Sequence, residues 1–176
     1  MKTEQSVLIA FQLGKGTDHQ GRFISEIWDF NSFWLEHDHK YIQWLFPIDA
    51  QTKFNRHAPV LTTDDRAAFF ESEVLQQAQR KSLDLLLHFF GLQWQEGEIF
   101  PSAQLNIREH IWLKRGGHNH LRISRIIRSL ALCGQHKLSY QFQQAVIKVA
   151  KEYGEVSEES MGYWFKAATD LDSNTE

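Results

Sequence analysis

Apolar positions recur at helical spacing along most of the chain. Leu138, Phe142, Ala145, Val146, Val149 and Tyr153 stand at i, i+4, i+7, i+8, i+11 and i+15, one stripe of an α-helix, with Gly134 and Gly154 as natural terminators. Ile123, Ile126, Ile127 and Leu130 form a second stripe, for which Asn119 is the expected N-cap and Gly134 the stop. A third helix is expected from about Ser72 to Phe90, ending at Gly91, with Val74, Ala78, Leu85 and Phe89 on one face. Near its end, Leu83, Leu86, Leu87 and Phe90 add apolar cover on the other sides. A helix that is apolar all round is buried all round, so Leu83–Phe90 is the expected centre of the core. Shorter helices fit Val7–Leu13, Arg22–Asp29, Asn31–Leu45, Thr63–Phe70, Gln104–Lys114 and Ser157–Ala168, with Ser157 capping the last.

Strand signals are nearly absent, because no Asn-Gly or Asp-Gly turn is flanked by alternating residues. Pro47, Pro59 and Pro101 fall between the expected helices, where they stop elements rather than kink them. The expected fold is all-α, a compact bundle of about six to eight helices. It forms a single domain over residues 1–169, and residues 170–176 read as an acidic disordered tail.

Composition narrows the class of function. The 176 residues are 42% hydrophobic and 23% charged, which excludes a disordered chain. The net charge of −3 supplies no field to draw nucleic acid or an anionic membrane, so neither nucleic-acid binding nor membrane insertion is expected. The apolar run Val7 to Phe11 is too short for a signal-peptide core or a membrane span. Cys133 is the one cysteine, so there is no disulfide framework, which fits a reducing cytoplasm.

Few motifs carry chemistry. Gly14-Lys15-Gly16-Thr17 lacks the Gly-Lys-Ser/Thr order of a phosphate loop and reads as a turn. Nine histidines include the pairs His37/His39 and His118/His120. Imidazoles at i, i+2 share a face only in extended chain, and on a helix they diverge by about 200°. His118 and His120 lie in a Gly-rich loop and could converge on a metal. His37 and His39 lie in a helical stretch and could not. A zinc site wants three or four ligands, so no metal and no cofactor are expected, His118/His120 being the alternative. Arg122, Arg125 and Arg128, at i, i+3 and i+6, should form a band opposite the Ile123–Leu130 stripe. That band is either a solvated face or a bidentate anion contact.

The densest segment is His39-Lys40-Tyr41-Ile42-Gln43-Trp44-Leu45-Phe46-Pro47. Pro47 forces Phe46 into an extended conformation. Tyr, Gln and Trp among apolar residues carry polar tips that need partners. They make either a core helix with satisfied tips or the wall of a ligand pocket.

This block, followed by Asn55-Arg56-His57-Ala58-Pro59-Val60-Leu61, resembles the conserved N-terminal region of the opioid growth factor receptor family. Leu85–Leu92 and His118–Gly134 look like later blocks of the same region, and the resemblance covers about Gly21 to Gly134. It implies a helical domain and, in animal members, binding of an enkephalin-type peptide in a nuclear or perinuclear receptor. It brings no catalytic residue. The chain stops soon after the shared region, without C-terminal repeats or a basic localisation cluster, and so looks like a stand-alone microbial relative.

The expected function is a non-catalytic binding or interaction domain for a peptide, a protein or a small anionic ligand. Its expected contacts are His39, Tyr41, Gln43, Trp44, Asn55, Arg122, Arg125 and Arg128, in a cleft between the Tyr41–Trp44 helix and the arginine helix. The alternative is an enzyme with His39 as general base beside Glu36 or Asp38.

Overall fold

In a computed structural model, which describes residues 5–53, 55–117 and 119–171, the chain divides into two compact units, Met1–Leu83 and Asp84–Glu176.

The first unit carries α1 (Val7–Gln12), α2 (Ile24–Trp28), α3 (Ser32–His37), α4 (Tyr41–Leu45), α5 (Thr63–Glu71) and the start of α6 (Glu73–Phe89). Hydroxyl and carboxylate caps fix several of these starts. Ser6 Oγ accepts the Ile9 N–H at 3.1 Å and donates to Asp65 Oδ1 at 2.7 Å. Asp65 in turn completes a capping box with Thr62, each side chain accepting the other's backbone N–H at 3.1 Å. One carboxylate thereby ties the start of α1 to the start of α5. The core of this unit includes Phe11, Ile27, Tyr41, Phe46 and Phe69, all fully buried.

The expected Asn31–Leu45 helix is two helices. Asp38 is extended at φ −86° and ψ 116°, and its Oδ1 accepts the N–H groups of Lys40 at 2.8 Å and Tyr41 at 3.2 Å. A side chain that takes backbone donors competes with helix continuation. His37 therefore ends α3, and His39 lies in the bend that follows rather than on a helix.

The second unit contains the end of α6, β1 (Leu92–Gln95), β2 (Glu98–Pro101), a single 3-10 turn at Ile111–Leu113, α7 (Asn119–Leu132), α8 (His136–Tyr153) and α9 (Glu158–Lys166). The all-α expectation is corrected here, because the fold is helix-rich mixed α/β. β1 and β2 pair antiparallel, from Leu92 opposite Pro101 to Gln95 opposite Glu98. Glu96 and Gly97 make the two-residue turn, both with positive φ, at 52° and 82°. Two successive positive φ values belong to the hairpin turn that matches strand twist. Pro101 accordingly ends a strand and not an interhelical loop, and the expected Gln104–Lys114 helix is a mixture of turns and irregular chain leading into the 3-10 turn at Ile111–Leu113.

The Leu83–Phe90 segment is a core segment, but not on every side. Leu83, Leu86, Leu87 and Phe90 are buried, while Asp84 and His88 are exposed. The buried face of α6 begins at Leu75, and Val74, expected to face inward, is 60% exposed. Phe90 meets the rings of Trp112 and Phe142 at 6.0 and 6.3 Å. Ile123, Ile126, Ile127 and Leu130 are fully buried as expected, as are Phe142 and Val146 of α8, whose stripe ends in solvent at Tyr153. Gly134, at φ 81°, closes α7. Its N–H reaches Ala131 O at 3.1 Å, and the next N–H, from Gln135, reaches Leu130 O at 2.9 Å.

Candidate functional site

The polar chemistry of the first unit gathers around α4. Residues 18–22 form a closed turn in which Asp18 Oδ1 accepts the N–H groups of Gln20 and Arg22, both at 2.9 Å. Arg22 Nε donates to Asp18 Oδ2 at 2.9 Å, and its Nη1 donates to Asp38 Oδ2. The guanidinium also lies over Phe30, 5.5 Å from the ring centroid. Burial opposes the charge on both partners and is the largest single effect. It is outweighed by the Arg22–Asp38 hydrogen bond together with the Arg22–Asp18 bond, the bonds that the Lys40 and Tyr41 N–H groups donate to Asp38, and the mutual attraction of the charges. Arg22 is held above its ordinary range and Asp38 below its own.

Beside this pair stands a stack of three rings. Trp44 Nε1 donates to His19 Nδ1 at 3.2 Å. The His19 ring lies 6.1 Å from Trp44 at an interplanar angle of 18° and 5.1 Å from His57 at 8°. An indole N–H can only donate, so His19 Nδ1 is the bare acceptor and Nε2 carries the hydrogen. Burial lowers the pKa of His19. Asp18 opposes this, while His57, Lys40 and Arg22 add to it. His19 is thus a neutral donor at physiological pH. Its Nε2 and the Nη2 of Arg22 are buried with no hydrogen-bond partner among the described residues.

The expected contact residues take several positions in this setting. Tyr41 is fully buried, and its hydroxyl donates to Leu35 O at 2.7 Å. Trp44 is 5% exposed, with its ring edge against Phe11 at 5.2 Å. Gln43 and Asn55 are brought together, Asn55 Nδ2 donating to Gln43 Oε1 while Asn55 Oδ1 accepts the His57 N–H at 3.0 Å. His39 is exposed. Asp38, one of its expected carboxylate partners, is already engaged by Arg22, Lys40 and Tyr41.

The arginines belong to α7 in the second unit. Of the two readings of their band, a fully solvated face does not fit, because α7 is buried on most of its surface. Arg122 is only 6% exposed, and burial pulls Arg125 down to about 10, which leaves it charged at neutral pH. Arg128 donates to both carboxylate oxygens of Asp170, at 2.8 and 3.1 Å, and to Ala167 O at 3.2 Å. The acidic stretch therefore begins with an ordered ion pair, and residues 172–176 lie outside the described residues. Of the other expected pair, His118 lies outside the described residues, and His120 is buried and bonded to Trp112 O. Among the described residues, no group of three or more His, Cys, Asp or Glu side chains could hold a metal ion. None of their helices is long and apolar enough to cross a membrane.

The model of the opioid growth factor receptor conserved region matches residues 18–174. The chain belongs to that family. The match begins at Asp18, so it takes in the whole Asp18–His19–Arg22 turn as well as α4, and leaves α1 outside. The chain is 35% identical over 114 residues to the mouse opioid growth factor receptor, covering 63% of this chain and 18% of that protein. Against the human opioid growth factor receptor the identity is 34% over 119 residues, covering 65% and 17%. Against rat opioid growth factor receptor-like protein 1 it is 33% over 118 residues, covering 65% and 25%. The chain thus spans only a quarter or less of the curated relatives it matches. No solved structure matches it.

The clustering of Asp18, His19, Arg22 and Asp38 is not legible in the sequence. The local trace was the Asp18/Arg22 spacing of i, i+4 around Gly21, whose φ is 78°. Nothing local announced that His19 would stack between Trp44 and His57.

Proposed function

We propose that this member of the family is a binding and interaction domain, and that the first unit takes a short peptide through its carboxylate without catalysing a reaction on it. The observation that carries the reading is the pair of buried donors, His19 Nε2 and Arg22 Nη2, in one polar cluster. A buried N–H without an acceptor costs about 1–3 kcal/mol, which an incoming carboxylate or carbonyl oxygen would recover. His57, stacked on His19 and exposed to solvent, offers a planar face to the rest of the ligand. Gln43 and Asn55 hold the adjoining loop, and His39 and Lys40 stand exposed beside the start of α4. In this reading Tyr41 and Trp44 shape the site from beneath, with their polar tips turned inward. Arg122 and Arg125, on α7 of the second unit, are a second set of anion contacts. The relatives are named as receptors for an opioid growth factor, which favours a peptide over other anions.

Isothermal titration of the full chain with an enkephalin pentapeptide and with its C-terminal amide tests this. The free acid should bind, and the amide should bind at least tenfold more weakly. His19→Phe and Gln43→Ala should each weaken the acid at least fivefold, and Tyr41→Phe should leave it within about twofold. Arg125→Ala reports on the second contact set. Equal binding of acid and amide, or no binding of either, would contradict the proposal.

A further inference from the structure

A second histidine, in the other unit, is arranged for different chemistry. His120 Nε2 lies 2.7 Å from the carbonyl oxygen of Trp112. A carbonyl only accepts, so Nε2 carries the hydrogen and Nδ1 is a bare base. Ser160 Oγ is 3.1 Å from Nδ1 and therefore donates to it. Ser157 Oγ accepts the Ser160 N–H at 3.1 Å as the N-cap of α9 and donates its own hydrogen to Ser160 Oγ at 3.2 Å. The hydrogens along this row run one way, from Ser157 to Ser160 to His120, and the far side of the ring is anchored on Trp112. A nucleophile hydrogen-bonded to a base that a third group orients is the signature of an activated hydroxyl.

The surroundings hold this geometry in place. The Trp164 ring meets the imidazole edge-on at 5.2 Å and 88°, and its Nε1 donates to His120 O at 3.0 Å. A Cβ on Gly117 would stand 2.8 Å from Ile111 O and 3.3 Å from His120 Nε2, so glycine allows the backbone to pass close to the ring. Ser160 is the third residue of α9, where the helix end carries partial positive charge. That charge and the Ser157 hydroxyl both favour negative charge growing on Ser160 Oγ. The carboxylates of Glu158 and Glu159 are exposed and screened by solvent. His120 is buried, whereas Ser160 is half-buried and so reaches the surface.

We propose that Ser160 is a nucleophile, with His120 as its general base, that takes the acyl group of a small carboxylic ester. Ser160 Oγ attacks the carbonyl carbon and its proton passes to His120 Nδ1. As the ester C–O bond breaks, that proton leaves with the alcohol, and Ser160 carries the acyl group. Water then attacks the acyl carbon and gives its proton to Nδ1. The carboxylic acid departs and the proton returns to Ser160 Oγ. Trp112 O stabilises the transient imidazolium and fixes the tautomer, the orienting role a carboxylate plays in other serine nucleophiles. This activity is separate from peptide binding by the first unit and does not depend on it.

The test is labelling of the full chain with a fluorophosphonate, which traps activated serines with loss of fluoride. One adduct per chain is expected, mapped by peptide mass spectrometry to Ser160 and abolished by Ser160→Ala. His120→Gln should slow labelling at least tenfold. Ser157→Ala, which removes one donor to the nucleophile, should slow it about threefold, and p-nitrophenyl acetate turnover should follow the same order. No adduct at saturating probe, an adduct on another residue, or wild-type labelling of His120→Gln would overturn the proposal. Should His120→Gln fail to fold, the wild-type adduct map and Ser160→Ala decide it between them.

Discussion

Each unit pairs a histidine with tryptophan, and the two pairs are built differently. In the first unit the Trp44 N–H points at His19 Nδ1, and the histidine's remaining donor stays inside the protein without an acceptor. In the second, both imidazole nitrogens of His120 are engaged, one by a carbonyl and one by a hydroxyl, and its Trp neighbour donates to the backbone instead. Partner count decides what each ring can do. A histidine with an unmet donor gains by meeting an oxygen from outside. A histidine with both nitrogens met has a fixed tautomer and can act on a hydrogen already in place.

Substitutions can break this contrast, the strongest first. Trp112→Ala removes a fully buried ring and the N–H that donates to Phe90 O at 2.8 Å. It should cost about 3–5 kcal/mol in urea unfolding, and it should disturb Ser160 labelling without changing peptide binding by the first unit. Asp38→Ala should cost about 2 kcal/mol, since it removes the acceptor that starts α4 and leaves Arg22 with one carboxylate fewer. The native pKa of Asp38 lies below its ordinary 3.8. Its contribution is therefore full above that value and is lost as pH falls through the native one. Acid unfolding of Asp38→Ala should lack that part of the wild-type loss.

Trp44→Phe is a finer probe, expected to cost about 1 kcal/mol. Without an indole N–H facing Nδ1, His19 can accept a second proton more readily, so its pKa should rise in an NMR titration. The native pKa of His19 lies below 6.5, so the wild-type fold disfavours the imidazolium. Its contribution is present above that value and is lost as pH falls through the native one. Trp44→Phe should reduce this loss. Arg128→Ala should have the smallest effect, about 0.5 kcal/mol or less by thermal unfolding, because its partner Asp170 is largely exposed and screened.

The amount legible in the sequence follows from where each signal resides. α7 and α8 were readable because periodicity and terminating glycines are local and agree with each other. The hairpin was not, because its turn is Glu96-Gly97 and glutamate seldom takes a positive φ. The buried face of α6 was misassigned because apolar residues surround its second half, and periodicity cannot rank Val74 against Leu75 without a neighbour to pack on. The break at Asp38 depends on a carboxylate choosing backbone donors over helix continuation. Tyr41 and Trp44 were expected as ligand contacts with polar tips in need of partners; both are buried, and the direction of those tips is a tertiary fact. The same is true of His19, which is 25 residues away in sequence from the indole it accepts.

The most direct test of the binding claim is an NMR titration of the full chain that follows the imidazole and guanidinium nitrogens. Addition of the free-acid pentapeptide should shift His19 Nε2–H and the Arg22 guanidinium while the His120 nitrogens stay in place. Shifts at His120 with none at His19 and Arg22, or no shift at either histidine, would contradict the account.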